Sequence, residues 1–328
     1  MKNKFLLTIG LLAISLSACG GNNNNSGSNN NSGSNNKEGD YTNLSIITPS
    51  GAPALAFYGF ATSDQFSVNT EPTNIVAMMN AGQKDVIVLP TNAGVSAIVN
   101  KQAPYKIAAT VTFGNFFIGS LNNDDNEVMD ENDTILLFQK GNVPDKLFHY
   151  VYGNKFDKNI HYVSTVNDVA IAVRDGKFTD EQGEFVPNYV LTAEPSLTVM
   201  SKTYEHGKIS FYASIQDEYR KKTNYSEIFQ ASVFIKNDVK EEDGQALLSK
   251  LKTDIETILD KPSELEEGMN KVDAPKDLFG VDPVVAAGVL RGDNGMGLGY
   301  KYAKDNKESI DKFLGLFNIA ETNEEIYF

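Results

Sequence analysis

The sequence has 328 residues, with 43 acidic against 29 basic side chains and a formal net charge of −14 at pH 7. An acidic surface opposes binding of nucleic acid or anionic lipid by the body of the protein, so we expect no nucleic-acid partner. The single Cys excludes an internal disulfide.

The first 18 residues have the pattern of a secretion signal. Lys2 and Lys4 precede an apolar run over residues 5–16, which is too short for a comfortable membrane-spanning helix. The following stretch, Leu-Ser-Ala-Cys, ends at Cys19 and is similar to the bacterial lipobox, in which the signal is removed and the Cys is diacylated. We therefore expect a lipoprotein signal peptide over 1–18 and lipidation of Cys19. An ordinary signal followed by a chance Cys is the alternative.

Residues 19–40 are expected to form a flexible, lipid-anchored linker. Between residues 20 and 36 the chain contains only Gly, Asn and Ser, which offer no apolar surface to offset the entropy of ordering. A coil of this composition has a reach of about 20–25 Å. The predicted location is the extracytoplasmic face of the cell membrane, with membrane contact through the lipid alone.

After the linker, strand and helix patterns alternate along the chain. Short apolar runs predict strands over 43–48, 85–90, 106–113, 134–139, 189–192, 209–214 and 231–236. Helical periodicity separates them over 73–81, 92–100, 144–152, 166–174 and 195–202. This alternation indicates an α/β fold with mainly parallel sheets. Helices dominate after Lys236, and the polar segment 121–134 is expected to be a solvated loop.

Four predicted strands end in a turn that leads directly into a helix. The turns contain Ser50-Gly51-Ala52, Thr91-Asn92, Gly141-Asn142 and Glu194. Each lies at the carboxyl end of a strand, where open α/β sheets bind ligands, and each leaves backbone N–H groups unpaired. Four such turns predict one shared ligand cleft, although helix capping alone explains any single turn.

The order and spacing of several motifs resemble those of substrate-binding lipoproteins of ABC importers, in the group that binds nitrate, sulfonate, taurine and thiamine precursors. The matching segments lie between about residues 41 and 240 and read TPSGAPALA, DVIVLPTNAG, FGN, GNVPDKLF, VNDVAIAVRDGK and LTAEPSLTV. The resemblance implies the two-lobed type II fold of periplasmic binding proteins, in which two crossover strands join two Rossmann-like lobes. Lobe 1 would comprise 41–115 plus 232–328, and lobe 2 would comprise 116–231.

The resemblance also implies which residues touch the ligand. The candidates are Ser50, Gly51, Ala52, Thr91, Asn92, Ala93, Gly114, Asn115, Gly141, Asn142, Val143 and Glu194. In the family the region matching 289–300 can border the cleft, which makes Arg291, Asn294 and Met296 further candidates. The implied partners are a small-molecule ligand and the transmembrane permease of an ABC importer, and we expect a monomer without cofactor or metal.

The chemistry of these positions leaves the ligand class open. Asn side chains, one carboxylate at Glu194 and aromatic candidates at Phe57, Tyr58, Phe113, Phe116 and Phe117 suit a heteroaromatic compound such as a thiamine precursor. A sulfonate- or nitrate-type anion is the alternative, opposed by the near absence of Lys and Arg from the loops.

An enzyme is a second alternative, because related folds host pyrimidine-synthesising enzymes. His149, His161 and His206 lack metal-ligand spacing, and the Cys-rich active-site element of those enzymes is absent. We therefore expect a binding protein rather than an enzyme.

Overall fold

The computed structural model describes residues 39–121, 128–203, 209–292 and 295–328. Its strands are β1 (Ile46–Pro49), β2 (Phe66–Asn69), β3 (Val86–Pro90), β4 (Tyr105–Phe113), β5 (Phe117–Ser120), β6 (Ile135–Phe138), β7 (Ile160–Val163), β8 (Phe178–Asp180), β9 (Gly183–Phe185), β10 (Tyr189–Thr192), β11 (Ser210–Ser214), β12 (Phe229–Lys236) and β13 (Leu298–Tyr302). The predicted signal peptide, Cys19 and nearly all of the predicted linker lie outside these residues.

The α-helices alternate with the strands and then dominate the last third of the chain. They are α1 (Ala52–Ala56), α2 (Pro72–Asn80), α3 (Thr91–Lys101), α4 (Val143–Tyr152), α5 (Val166–Asp175), α6 (Ser196–Thr203), α7 (Ile215–Lys222), α8 (Glu241–Asp260), α9 (Pro262–Met269), α10 (Pro275–Phe279), α11 (Pro283–Leu290) and α12 (Lys307–Gly315). No described helix is long and apolar enough to cross a membrane.

Two sheets organise the body. The first sheet has six strands in the order β13-β4-β12-β3-β1-β2, and the second has five in the order β11-β5-β10-β6-β7. Within the first sheet β1 is parallel to β2 and β3, whereas β12 runs antiparallel to both β3 and β4. The second sheet combines parallel β6, β7 and β10 with antiparallel β5 and β11. A separate hairpin pairs β8 with β9.

Within each sheet, the carboxyl ends of the parallel strands lie at the same edge. The carboxyl ends of β1, β3 and β4 share an edge of the first sheet, and those of β6, β7 and β10 share an edge of the second. Only residues 114–116 separate the end of β4 from the start of β5. The loops that follow β1, β3 and β4 therefore leave one edge of the first sheet, and those that follow β6, β7 and β10 leave one edge of the second. Open α/β sheets bind ligands at edges of this kind.

The predicted strands and helices all have counterparts in the structure, with small shifts of their ends. Continuous apolar runs became fully buried strands, such as β6, because both of their faces are covered. The amphipathic run 240–260 became α8, which buries Leu247, Leu251, Ile255 and Ile258. The predicted ranges lack β2, β5, β7, β13, the β8–β9 hairpin and α7, which are short or lack a sustained apolar pattern.

Close packing of α3 on β12 predicts the effect of adding a methyl group at Gly94. A Cβ atom there would overlap the buried ring of Phe234. We expect Gly94→Ala to lower the free energy of unfolding by about 1–3 kcal/mol, measured by urea denaturation. Gly288→Ala is the matched control, because Gly288 is an exposed residue of α11 with no atom close to an added Cβ. The control should raise stability by up to about 1 kcal/mol, and equal destabilisation by both changes would contradict the packing argument.

Candidate functional site

A cavity lies between α3, beside the first sheet, and the start of α4, beside the second sheet. Its volume is about 360 Å³, and we call it the α3–α4 cavity. The residues that line it are Asn92, Ala93, Ser96, Asn100, Gly141, Lys146, Phe317, Asn318 and Ile319. Three of the predicted ligand residues, Asn92, Ala93 and Gly141, therefore share one cavity to which both sheets contribute.

Asn92 offers this cavity an unused hydrogen-bond acceptor. Its side-chain Oδ1 is buried and has no partner among the residues that the structure describes. Asn92 is the second residue of α3, and the residue before the helix, Pro90, provides no side-chain cap. A buried acceptor without a donor costs free energy, so a ligand that donates an N–H or O–H group, or a bound water, would stabilise this end of the cleft.

Neighbouring Thr91 faces away from the cavity. Its hydroxyl lies 2.7 Å from that of Ser232 on β12, which in turn lies 2.8 Å from the hydroxyl of Thr110 on β4. All three side chains are fully buried. Thr91 thus ties the start of α3 to the interior of the first sheet, and the structure gives its side chain no access to the α3–α4 cavity.

The turn after β1 is held by a helix that sequence analysis did not connect with it. Gly51 has a φ of +82°, which favours Gly, and its N–H donates to the carbonyl of Phe279 at 3.0 Å. Ser50 is half-buried and Ala52 is buried. The end of α10 therefore fixes this turn, and one of the N–H groups expected to face a ligand is already bonded within the protein.

The loop before α4 is also bonded internally. The N–H of Gly141 donates to Oδ2 of Asp145 at 2.6 Å, and the N–H of Asn142 donates to the carbonyl of Gln139 at 2.9 Å. The side chain of Asn142 is exposed and does not cap the helix, while Val143 is buried. This loop reaches the cavity through Gly141.

The side-chain amide of Asn115 bonds to the backbone of Glu194. The Nδ2 of Asn115 donates to the carbonyl of Glu194 at 2.8 Å, and the N–H of Glu194 donates to Oδ1 of Asn115 at 3.1 Å. The N–H of Asn115 donates to Oε1 of Gln230 on β12 at 2.8 Å. These bonds join the segment between β4 and β5, the loop after β10 and strand β12, so Asn115 links elements of both sheets.

Gly114 precedes this link in a left-handed conformation with a φ of +53°. A Cβ atom at Gly114 would overlap the side chain of Gln216, whose Oε1 accepts a hydrogen bond from the N–H of Ile228 at 3.0 Å. Gln216 therefore contacts both connections between the sheets. The sequence did not identify Gln216 as such a contact, because nothing in the pattern of α7 distinguishes a buried amide from a surface amide.

The carboxylate of Glu194 stabilises the first turn of α6. Its two oxygens accept hydrogen bonds from the N–H and the hydroxyl of Thr198, both at 3.0 Å, and the side chain is only 5% exposed. Burial raises the pKa of Glu194, against the opposing effect of the Thr198 hydrogen bonds. The helix-capping alternative considered for this turn therefore has structural support at Glu194.

The aromatic candidates lie mostly in the core. Phe57, Phe116 and Phe117 are buried, and Phe57 packs on the rings of Phe60 and Phe66. Half-buried Phe113 packs edge-on against Phe229, with ring centroids 5.6 Å apart.

The further candidates in 289–300 also make structural contacts or lie outside the described residues. Met296 is fully buried, and Arg291 lies 4.0 Å from a carboxylate oxygen of Glu266. Asn294 lies outside the described residues.

Lys146 is the lining residue with the clearest chemical role, and the sequence analysis missed it. It lies on the first turn of α4, and among the described residues no carboxylate oxygen comes within 4 Å of its Nζ. The predicted contacts lie in the loops and at the helix start, whereas Lys146 follows the predicted contact Val143 by three residues and so shares its end of the helix.

A second, larger cavity of about 820 Å³ shares Gly141 and Lys146 with the α3–α4 cavity and extends along α4 to β7 and the β8–β9 turn. In this α4–β7 cavity His149 Nδ1 lies 2.9 Å from Oδ1 of Asp145, and His161 Nδ1 lies 2.6 Å from Oδ2 of Asp180. The hydrogen bond with His161 lowers the pKa of Asp180. In the described ranges no group of three or more His, Cys, Asp or Glu side chains could hold a metal ion.

Solved structures with a similar fold include proteins of ABC transporters. One from Parabacteroides distasonis aligns with a TM-score of 0.65 and 16% identity, covering 84% of this chain and 91% of its own. The periplasmic aliphatic sulphonate binding protein SsuA from Escherichia coli aligns with a TM-score of 0.59 and 13% identity, covering 87% and 91%. The alkanesulfonate-binding protein SsuA from Xanthomonas axonopodis pv. citri, bound to MOPS, gives 0.53 and 12%, covering 83% and 91%.

At these identities the likeness shows the fold, and no protein-family model or curated protein matches the sequence. The predicted class, an α/β fold of the periplasmic binding protein type, is confirmed. The predicted resemblance to the sulfonate-binding group of importer proteins is confirmed in the same sense, because its members are among the structural neighbours.

The raised pKa of Glu194 predicts a pH dependence of stability. The folded protein binds the Glu194 proton more tightly than the unfolded chain, in which the pKa is about 4.3. Stability from this group should therefore fall as the pH rises from that value through the higher folded-state pKa. Urea denaturation between about pH 4 and pH 7 should show the free energy of unfolding of wild type decreasing relative to Glu194→Gln. A constant difference across this range would contradict the assignment.

Proposed function

We propose that the chain is the solute-binding component of an ABC importer, which captures a small organic solute between its lobes and delivers it to the transmembrane permease. The observation that carries this proposal is the α3–α4 cavity, whose lining comes from elements beside both sheets. Its volume falls within the range of about 300–1,000 Å³ that is usual for small-molecule sites. The fold shared with importer binding proteins supports the same function.

We further propose that the solute carries a negative charge. Lys146 has a cationic end without an acidic partner among the described residues, and it lines the same cavity as the unpaired acceptor of Asn92. A solute with an anionic group and a hydroxyl or amine would satisfy both. The names of two structural neighbours, which describe sulfonate-binding proteins, agree with this class.

A heteroaromatic solute such as a thiamine precursor is the competing class, and the geometry supports it less. That prediction used the carboxylate of Glu194, which is bonded to Thr198, and aromatic side chains, of which Phe57, Phe116 and Phe117 are buried in the core. The amide of Asn92 and the ring of Phe113 are its remaining supports. An enzyme on the same fold has less support still, because the residues that line the cavity include no Cys or His.

The remaining proposals concern how the protein is arranged at the cell. We assign residues 41–115 plus 232–328 to lobe 1 and 116–231 to lobe 2, with a monomer as the working state. Cys19 would carry the lipid, and the Gly/Asn/Ser segment would hold the body away from the membrane on its extracytoplasmic face. The acidic net charge supports attachment through the lipid alone.

Lys146→Met tests the solute class directly. A thermal-shift screen of alkanesulfonates, organic carboxylates and pyrimidines should first identify a stabilising compound, since a ligand at 100 times its Kd adds about 2.7 kcal/mol. Calorimetry should then show that Lys146→Met lowers the affinity for an anionic solute by about tenfold or more, because hydrogen bonds to charged groups are worth about 1.5–3 kcal/mol. Asn92→Ala should lower the affinity for the same solute by up to about tenfold.

Lys158→Met is the matched control, because Lys158 is an exposed lysine outside the α3–α4 cavity. It should bind as wild type does, and Glu194→Gln should also leave affinity unchanged. Stabilisation by pyrimidines alone, with normal affinity in Lys146→Met, would support the heteroaromatic class instead. Normal binding in both Lys146→Met and Asn92→Ala would place the ligand elsewhere.

The lipid anchor has a separate test. Expression of the full chain in a bacterium should give a mature protein that begins at a diacylated Cys19 and fractionates with membranes, as two acyl chains are sufficient for stable anchoring. Cys19→Ser should remain unacylated and lose this attachment. Mass spectrometry that found a free thiol at Cys19, or cleavage at another residue, would contradict the proposal.

A further inference from the structure

The start of α4 contains a carboxylate where a ligand-binding helix would present free N–H groups. Asp145 is the third residue of the helix and is only 8% exposed. Its Oδ2 accepts the N–H of Gly141 at 2.6 Å, while its Oδ1 lies 2.8 Å from the hydroxyl of Tyr162 and 2.9 Å from Nδ1 of His149. Contacts on both carboxylate oxygens hold the negative charge in a fixed position.

The hydroxyl of Tyr162 remains a donor in this arrangement. Burial, together with the hydrogen bond and the charge of Asp145, raises the pKa of Tyr162. The ring of Tyr162 also contacts a cation, because Nζ of Lys140 lies 4.9 Å from the ring centroid. Asp145 is thus embedded in a network that lines the α4–β7 cavity beside the Gly141 loop.

This carboxylate changes what the Gly141 loop can bind. A helix N-terminus attracts anions through its partial positive charge and its free N–H groups. Here Asp145 balances that charge and takes the N–H of Gly141, while Gln139 takes the N–H of Asn142. A compact anion in the loop would lie against a fixed negative charge. Of the two lysines that flank the loop, Lys140 lies over the Tyr162 ring, and Lys146 remains to attract the anion.

We propose that Asp145 is a specificity-determining residue of the cleft, which excludes small inorganic anions from the start of α4 and leaves Lys146 to bind the charge of a larger organic solute. The inference rests on the proposed function for the identity of the site. Its physical content, the exclusion of a compact anion by Asp145, can be measured without knowing the natural solute.

Inorganic sulfate is the probe, and the backbone amide resonance of Gly141 in ¹⁵N–¹H spectra is the readout. In wild type, sulfate should leave the Gly141 resonance in place. In Asp145→Asn, which keeps the shape of the side chain and removes its charge, sulfate should shift this resonance and bind about five- to tenfold more tightly than to wild type. The double variant Asp145→Asn with Lys146→Met should lose that gain.

Two control variants separate the charge of Asp145 from the loss of another nearby charge and from the loss of one of its hydrogen bonds. Asp157→Asn removes one negative charge near the other ring nitrogen of His149, 3.2 Å away, without touching Gly141. Tyr162→Phe removes one hydrogen bond of Asp145 and keeps the charge. Both should retain the wild-type response to sulfate.

The inference is overturned if sulfate shifts Gly141 in the wild-type protein, a result that needs no variant to fold. It is also overturned if folded Asp145→Asn gains no sulfate affinity, or if Asp157→Asn gains as much. These results are distinct from failure of the proposed function. A protein that binds no organic solute in the thermal-shift screen can still show the predicted change at Gly141, and a genuine solute-binding protein can fail to show it.

Discussion

The side-chain amide of Asn115 is the link on which the geometry of the cleft depends. It bonds both the N–H and the carbonyl of Glu194, and the backbone of the same residue bonds Gln230 on the second crossover strand. Because Asn115 is only 4% exposed, water cannot replace these bonds, and breaking them would leave buried polar groups unpaired. The loop after β10 is therefore bonded to the segment that connects the two sheets, and through Asn115 to β12 of the first sheet.

Much of this architecture follows from local patterns in the sequence. Strands such as β3 and β6 and helices such as α3 and α8 show their periodicity within a single window, because each buries a continuous face or stripe. The position of β12 between β3 and β4 could not be predicted from a local pattern. Its partners are remote in the sequence, and antiparallel insertion into a parallel arrangement has no local signal. The resemblance to binding proteins implied a crossover strand in this part of the chain, but not its neighbours in the sheet. The β8–β9 hairpin was missed because three-residue strands contain too few positions to establish an alternation.

The site was predictable to the level of its loops and not to that of its side chains. The rule that ligands lie at the carboxyl ends of strands predicted Asn92 and Gly141 as contacts, and these two residues line one cavity. Adjacent side chains in one turn nevertheless point in different directions. Only tertiary packing determines which of them lines the cavity. Thr91 enters the core to meet Ser232, whereas Asn92 lines the cavity. Lys146 was overlooked for a related reason. It follows the loop by one helical turn, and its exposure to the cavity depends on how α4 is rotated against the second sheet.

The position of β12 also determines the order in which the strands of the first sheet can pair during folding. Phe113 ends β4 and pairs with Phe229, which begins β12, although the whole second sheet lies between them along the chain. As the chain is synthesised, β3 and β4 are complete long before the strand that joins them exists, and closing so long a loop is slow. The first sheet can therefore reach its native pairing only after the second has emerged, and until then its strands have unpaired edges. The smaller pairings among β1, β2 and β3 can form early, but β4 can join them only when β12, a strand from the last third of the chain, fills the gap.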